Sequence, residues 1–192
     1  MRLKVPVLLG SMRRDRMGIR AARLLLRTLE ARGHEATLVD AMELKLPLLD
    51  RMYKEYPTGE APDNLEKLAS LYRAADGFII VSGEYNHGIQ PGMKNLLDYF
   101  LEEYFWRPSG IVSYSQGAFG GVRAAMQLRM TLAELGMSSV PSLMPIPSIQ
   151  NALSEDGVPA HEWLTKSLAR FLDEFEWYAR ALKAERANGL PR

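Results

Sequence analysis

One short segment of the sequence is unusually dense in hydrogen-bonding side chains. It lies between two glycines and has the sequence Gly83, Glu84, Tyr85, Asn86, His87, Gly88. An apolar run, 77–82, comes directly before it, and apolar residues at helical spacing follow from Met93. This pattern predicts a strand, a loop and a helix. Ligands of open α/β sheets bind at the loops that follow the strands, so we predict that this loop forms one wall of a ligand site.

A second polar loop, 10–18, follows a predicted first strand at 3–9 and precedes a predicted helix at 17–32. The N terminus of a helix offers free N–H groups and a positive dipole to an anion. The loop adds a hydroxyl and two cationic donors, which are Ser11, Arg13 and Arg16. The segment therefore predicts either an anion site or a solvated basic turn that caps the helix, and the residues alone leave both open.

A third loop, 116–121, is rich in glycine and follows a predicted strand at 110–115. Its start is similar to the nucleophile turn of serine hydrolases, with Ser115 as the nucleophile, although Ser113 replaces the first glycine of that motif. The acid and the base would then be Asp156 and His161, which lie close together in the sequence. A serine hydrolase is therefore one alternative function.

Strands and helices alternate along the rest of the chain. The five predicted strands lie at 3–9, 35–40, 77–82, 110–115 and 138–143. The predicted helices lie at 17–32, 63–75, 122–135 and 161–184, with another that contains Met93. This alternation predicts a single α/β domain over 1–192, with a five-stranded parallel sheet and helices on both faces. In the strand order 2-1-3-4-5, the loops after strands one and three meet at the switch point of the sheet.

Two segments raise structural questions of their own. Pro6 lies inside the first predicted strand, where a proline removes a donor from the ladder, so we expect imperfect pairing there. The segment 99–106 is rich in aromatic residues. Core packing is the simpler interpretation of that segment, and a subunit interface is the alternative.

The composition narrows the classes of function. Hydrophobic residues make up 47% and charged residues 24% of the chain, which is typical of a globular protein, and the net charge is +1. This balance supports neither nucleic acid nor a membrane as a partner, and it lacks the strong field of one sign by which electron carriers often dock. The absence of cysteine excludes thiolate chemistry and favours a cytoplasmic location. The three histidines lack metal-ligand spacing, so we expect no metal site.

Three patches of the sequence resemble the NADPH-dependent FMN reductase family, a flavodoxin-like group that includes azo, quinone and chromate reductases. The first patch is Gly10, Ser11 and Arg13, which is similar to the FMN phosphate loop of the family. The second is Glu84-Tyr85-Asn86 with Pro91-Gly92-Met93-Lys94-Asn95. The third is Gly117, Gly120, Gly121, Arg123 and Ala124, followed by Gln127, Leu128 and Arg129. Arg16 and Gly18 depart from the family, which often has small polar residues there.

The resemblance implies a flavodoxin-like three-layer sandwich that binds FMN and passes hydride from NADPH or NADH to an acceptor such as a quinone, azo compound, free flavin or metal oxyanion. It implies a homodimer or homotetramer and no catalytic side chain. The residues that it implies for binding the phosphate are Ser11, Arg13, Arg16, Met17 and Gly18. The residues that it implies for lining the isoalloxazine ring are Gly83, Glu84, Tyr85, Asn86, Ser115 and Gly117. Glu84 could instead cap the helix that follows or pair with an arginine of a second subunit. A flavodoxin-like electron carrier or a flavin-binding regulator is the alternative function.

Overall fold

The computed structural model describes residues 1–191. Within this range the strands are β1 (Lys4–Leu9), β2 (Glu35–Asp40), β3 (Phe78–Tyr85), β4 (Gly88–Ile89), β5 (Pro108–Tyr114) and β6 (Ser138–Ile146). The order in the sheet is β2-β1-β3-β5-β6, and neighbouring strands along this path are parallel. The short strand β4 pairs antiparallel with the end of β3. The predicted sheet of five parallel strands in the order 2-1-3-4-5 is therefore confirmed.

Helices cover both faces of the sheet. They are α1 (Gly18–Ala31), α2 (Ala41–Leu44), α3 (Asp63–Ala74), α4 (Pro91–Asp98), α5 (Val122–Glu134), α6 (Ile149–Ala152) and α7 (Glu162–Asn188). One core joins α1 and α7 to strand residues such as Val7, and the other joins α3, α4 and α5 to residues such as Leu8. Successive strand residues point to opposite faces, which is why neighbours in β1 enter different cores. None of the helices in residues 1–191 has the length and apolar character needed to cross a membrane.

Pro6 shapes the start of the ladder between β1 and β3. Pairing of β1 with β2 is continuous from Lys4 to Leu9, but pairing with β3 begins only at Val7. The N–H of Lys4 donates instead to Asp76 Oδ2 at 2.9 Å. Because proline has no N–H, the ladder with β3 begins after it, and the expected imperfection is confirmed.

The aromatic segment after α4 packs mainly into the core. Phe100 and Tyr104 are buried, and their ring centroids lie 4.9 Å and 5.4 Å from that of Tyr72. Phe78 of β3 completes the cluster at 5.2 Å from Tyr104. Trp106 is an exception, with 43% of its surface exposed. Core packing is therefore confirmed for the three buried rings of this segment, Tyr99, Phe100 and Tyr104.

The segment between Gly83 and Gly88 differs from the predicted loop. Strand β3 continues through Tyr85, and its last two residues pair with β4. Asn86 and His87 form the turn, with φ values of 48° and 66°. Two-residue hairpins whose central residues both have positive φ match the twist of the strands that they join. The predicted loop is thus shorter than expected, because most of the segment forms a hairpin.

A buried ion pair fixes the loop between β1 and α1. The guanidinium of Arg16 makes two hydrogen bonds to the carboxylate of Asp40, the last residue of β2. The two side chains are only 11% and 6% exposed. Arg16 also donates to the carbonyl of Ser11 at 3.2 Å, and Asp40 accepts from the N–H of Met42 at 3.0 Å, which caps α2. One pair therefore holds three segments together at this edge of the sheet.

We predict that Asp40→Ala lowers the free energy of unfolding by about 3–5 kcal/mol, because it leaves the mostly buried guanidinium of Arg16 with only the exposed Glu43, at 4.0 Å, as a counter-charge. Chemical denaturation measures this loss. Glu35→Ala is the matched control, since Glu35 pairs with Arg2 at 3.7 Å on the exposed surface. Its loss should be no more than about 1 kcal/mol. Equal losses for the two variants would contradict the prediction.

Candidate functional site

A cleft opens at the carboxyl ends of β1, β3 and β5. It has a volume of about 290 Å³ and opens to solvent, which places it near the lower end of the range for small-molecule sites. The residues that line it are Ser11, Arg13, Asp15, Arg16, Met17, Gly83, Glu84, Tyr85, Gln90, Tyr114, Ser115, Gln116, Gly117 and Ile149. All three predicted loops therefore contribute to one cleft.

Two predicted site residues do not line this cleft. Gly18 is the first residue of α1 and is buried beside Tyr114, where a Cβ atom would overlap the phenol. Asn86 lies at the exposed tip of the hairpin. Gly18 thus shapes the cleft by its lack of a side chain, whereas the side chain of Asn86 is outside it.

The loop between β1 and α1 has the features of an anion site, and its part of the cleft is called the anion-binding end. Ser11 is buried there, while Arg13 is exposed and makes no ion pair with any other residue in 1–191. No side chain caps α1, and its first turn contains no acidic residue. The first N–H groups of the helix and the helix dipole therefore act on this end of the cleft. This geometry favours the anion site over the capping turn.

Arg16 belongs to the same end but is already engaged. Its guanidinium is held by Asp40, so much of its charge is compensated inside the protein. Its hydrogen bond to the carbonyl of Ser11 stabilises the conformation of the loop. Arg13 is consequently the cation with the greater freedom to contact an anion, and Asp15 is the nearby acidic residue that lines the cleft.

Glu84 attaches the hairpin to α5. Its Oε2 atom accepts from the N–H groups of Arg123 and Ala124 at 3.0 Å and 3.3 Å, and its Oε1 atom lies 3.5 Å from Nη1 of Arg123. The carboxylate therefore caps the N terminus of α5 and interacts favourably with its dipole. The expected capping of the following helix is therefore wrong: Glu84 caps α5, and not α4, which follows the hairpin directly.

A second contact with α5 supports the hairpin. Gln127 accepts from the N–H of Ile89 at 3.3 Å and donates to the carbonyl of His87 at 3.1 Å. The hairpin is thus attached to α5 through both of its strands. These contacts fix the position of the hairpin, which forms one wall of the cleft.

Ser115 stabilises the third wall of the cleft. Its hydroxyl donates to the carbonyl of Gly117 at 2.8 Å and accepts from the N–H of Gly120 at 2.9 Å. Both partners are backbone groups, and no histidine in residues 1–191 hydrogen-bonds to this hydroxyl. A nucleophilic serine needs an adjacent base, so the geometry does not support the serine hydrolase alternative. A Cβ atom at Gly117 would meet nothing within 4 Å, which leaves this wall open to a ligand.

Sequence reasoning missed five residues that line the cleft: Asp15, Gln90, Tyr114, Gln116 and Ile149. Asp15 and Gln116 sit within predicted loops, and Tyr114 precedes one, so their proximity to the site was a usable signal. Gln90 lies after the hairpin and turns back into the cleft, and Ile149 comes from the segment after β6. Burial raises the pKa of the Tyr114 phenol, while the neighbouring Ser11 hydroxyl and Gln90 amide lower it.

The cleft fits a phosphorylated flavin. A phosphate matches the anion-binding end at Ser11 and Arg13, and a flat ring matches the gap between the hairpin and Gly117. The phenol oxygen of Tyr85 is buried but finds no hydrogen-bond partner among residues 1–191. Unpaired buried polar groups are rare because they cost free energy, so this hydroxyl indicates a polar ligand at the cleft.

Comparisons with known proteins agree with this geometry. Residues 3–151 match the family model of NADPH-dependent FMN reductases. An NADPH azoreductase from Bacillus sp. strain OY1-2 is 24% identical over 155 residues, which cover 79% of this chain and 85% of that protein. A quinone reductase from Escherichia coli K12 is 31% identical over 138 residues, which cover 70% of this chain and 71% of that protein.

A solved structure shares the fold. FerB, a flavoenzyme NAD(P)H:(acceptor) oxidoreductase from Paracoccus denitrificans, matches with a TM-score of 0.71 at 22% identity, covering 92% of this chain and 98% of that one. At this identity the likeness shows the fold alone. The family assignment comes from the sequence, since the family model spans well over half of the chain. The chain therefore belongs to the NADPH-dependent FMN reductases, a family of flavin-dependent oxidoreductases.

Proposed function

We propose that this oxidoreductase passes a hydride from NADPH, through bound FMN, to a small-molecule acceptor such as a quinone, an azo compound, free flavin or a metal oxyanion. The observation that carries the proposal is the convergence of three strand-end segments on one cleft with an anion-binding end. The FMN supplies the hydride and electron chemistry when bound, and the protein supplies binding, orientation and tuning. No acid–base pair is required of the side chains.

Each wall has a separate task in this proposal. Ser11, Arg13 and the free N–H groups of α1 hold the phosphate. The hairpin, fixed to α5 by Glu84, presents its backbone to one edge of the ring. Gly117 allows the opposite wall to approach the ring without a side chain in the way.

The open cleft bears on the choice of acceptor. The hairpin and the segment 115–117 border a space that is continuous with solvent. A site that does not enclose its second substrate discriminates among substrates mainly by reactivity and gains little specificity from shape. We therefore propose a broad range of oxidants, and NADH as an alternative donor to NADPH.

The assembly and location proposed here follow the family resemblance. We propose a homodimer or homotetramer, supported by exposed apolar side chains on and before α5 (Phe119, Met126 and Met130). Sedimentation velocity at micromolar concentration should give a multiple of the 21.6 kDa chain mass, and a monomer would contradict this. We also propose a cytoplasmic location, since the sequence contains no cysteine.

The purified protein, supplied with FMN, should be yellow and should oxidise NADPH when a quinone or free flavin is present. The absorbance spectrum before and after NADPH addition under anaerobic conditions measures cofactor binding and reduction directly. A panel of quinones, azo compounds and metal oxyanions then ranks the acceptors. A protein that gains no visible absorbance from FMN would overturn the proposed function.

Arg13→Ala should weaken FMN binding by about ten- to a hundredfold, because a charged hydrogen bond to phosphate contributes about 1.5–3 kcal/mol. Quenching of FMN fluorescence measures the dissociation constant. Arg14→Ala is the matched control, since Arg14 is equally basic and exposed but does not line the cleft. Unchanged affinity in the Arg13 variant would remove this side chain from the phosphate site.

A further inference from the structure

Gln90 is a buried amide whose position is not explained by the helix that it precedes. Only 2% of its surface is exposed. It occupies the N-cap position of α4, yet its side chain makes no capping hydrogen bond. The side chain instead turns back toward the floor of the cleft. A polar side chain at this position commonly caps the helix, so its burial here indicates another task.

Two hydrogen bonds fix the orientation of this amide. The N–H of Gly83 donates to Oε1 of Gln90 at 3.0 Å, and Nε2 of Gln90 donates to the phenol oxygen of Tyr114 at 3.4 Å. The N–H of Gly83 can only donate, so the carbonyl oxygen of the amide must face it. The NH₂ group must then face Tyr114. A flipped amide would turn its NH₂ group toward the N–H of Gly83 and lose that bond, which fixes the orientation observed.

This chain of bonds determines what Tyr114 can do. Its oxygen already accepts a hydrogen bond from Gln90, so its own O–H group donates to another acceptor, which is either the neighbouring Ser11 hydroxyl or a ligand in the cleft. Tyr114 lines the cleft, and burial raises the pKa of its phenol, which keeps the proton in place at neutral pH. Tyr114 is thus an oriented donor on the floor of the site.

The location of this donor points to the part of the ligand that it meets. A Cβ atom at Gly18, at the anion-binding end, would overlap the phenol oxygen. A Cβ atom at Gly83, on the ring wall, would lie 3.0 Å from Cζ of the same phenol. The hydroxyl therefore lies between the two ends of the cleft. In FMN, the group between the phosphate and the ring is a polyol chain, whose hydroxyl oxygens accept hydrogen bonds.

We propose that the Tyr114 hydroxyl donates a hydrogen bond to a hydroxyl oxygen of this polyol chain, and that Gln90 is the positioning residue that directs the donor. The two residues together favour flavins that carry the chain over flavins that lack it. The proposal rests on the proposed function, since it assumes FMN in the cleft. It assigns the specificity to the middle of the cofactor rather than to its phosphate.

Three flavins separate this role from a structural one. FMN carries the polyol chain and the phosphate, riboflavin carries only the chain, and lumiflavin carries neither. Tyr114→Phe should weaken the binding of FMN and of riboflavin by the same factor, roughly two- to tenfold for one neutral hydrogen bond. The affinity for lumiflavin should not change. Dissociation constants come from fluorescence titration. Tyr104→Phe is the matched control, because Tyr104 is a buried tyrosine in the other core.

A second variant tests the role of Gln90 by reversing which partner donates the hydrogen bond between residue 90 and Tyr114. In Q90E the ionised carboxylate can only accept, so it draws the proton of Tyr114 toward itself and away from the ligand. Riboflavin affinity should then fall to the level of Tyr114→Phe at about pH 8. At about pH 5 a buried carboxyl is increasingly protonated, donates to Tyr114 and restores affinity. Tyr85 and Arg16 are the other titratable groups beside Tyr114, and the wild-type protein at both pH values controls for them.

The outcomes are distinct from those for the proposed function. If FMN does not bind the wild-type protein, the proposed function fails. If FMN binds but Tyr114→Phe weakens lumiflavin as much as riboflavin, the donor role is overturned and Tyr114 is structural. A riboflavin affinity of Q90E that shows no more pH dependence than wild type would overturn the role of Gln90. Circular dichroism establishes that each variant is folded before its affinities are compared.

Discussion

The ring of Tyr114 sets the spacing between the phosphate end and the ring end of the cleft. Backbone approaches it from α1 and from β3, at Gly18 and Gly83, so closely that neither position has space for a Cβ atom. Because interiors are packed at high density, a larger residue at either position would displace the segment that carries it. The first turn of α1 and the end of β3 are therefore placed relative to each other by contact with one buried side chain.

Charged residues in and around the cleft divide into two groups with different tasks. Arg16 and Glu84 are held by protein partners, Asp40 in one case and the N terminus of α5 in the other. They stabilise the walls, and their charges are largely compensated before any ligand arrives. Arg13 remains exposed at the mouth. Of the basic residues in this loop, Arg13 lines the cleft without an ion pair to any residue in 1–191, Arg16 stabilises the loop, and Arg14 is exposed outside the cleft.

Much of this arrangement could be predicted from the sequence, because local pattern determines it. Alternating strands and helices gave the sheet order, and the loops after strands one, three and four marked the cleft. The hairpin could not be foreseen, since pairing of β3 with β4 depends on two non-glycine residues with positive φ. The partners of Arg16 and Glu84 lie 24 and 39 residues away, and such distances leave no periodic signal. Gln90 was missed for a related reason, because its side chain turns away from the helix that its sequence position suggests.

The unpaired hydroxyl of Tyr85 has a consequence for the life of the protein in the cell. Without a ligand, the chain carries a buried polar group whose desolvation is not compensated by residues 1–191. A cofactor that meets this hydroxyl binds only the native state and so shifts the folding equilibrium toward it by mass action. Chains that lack the cofactor unfold more often and are exposed to proteases for longer.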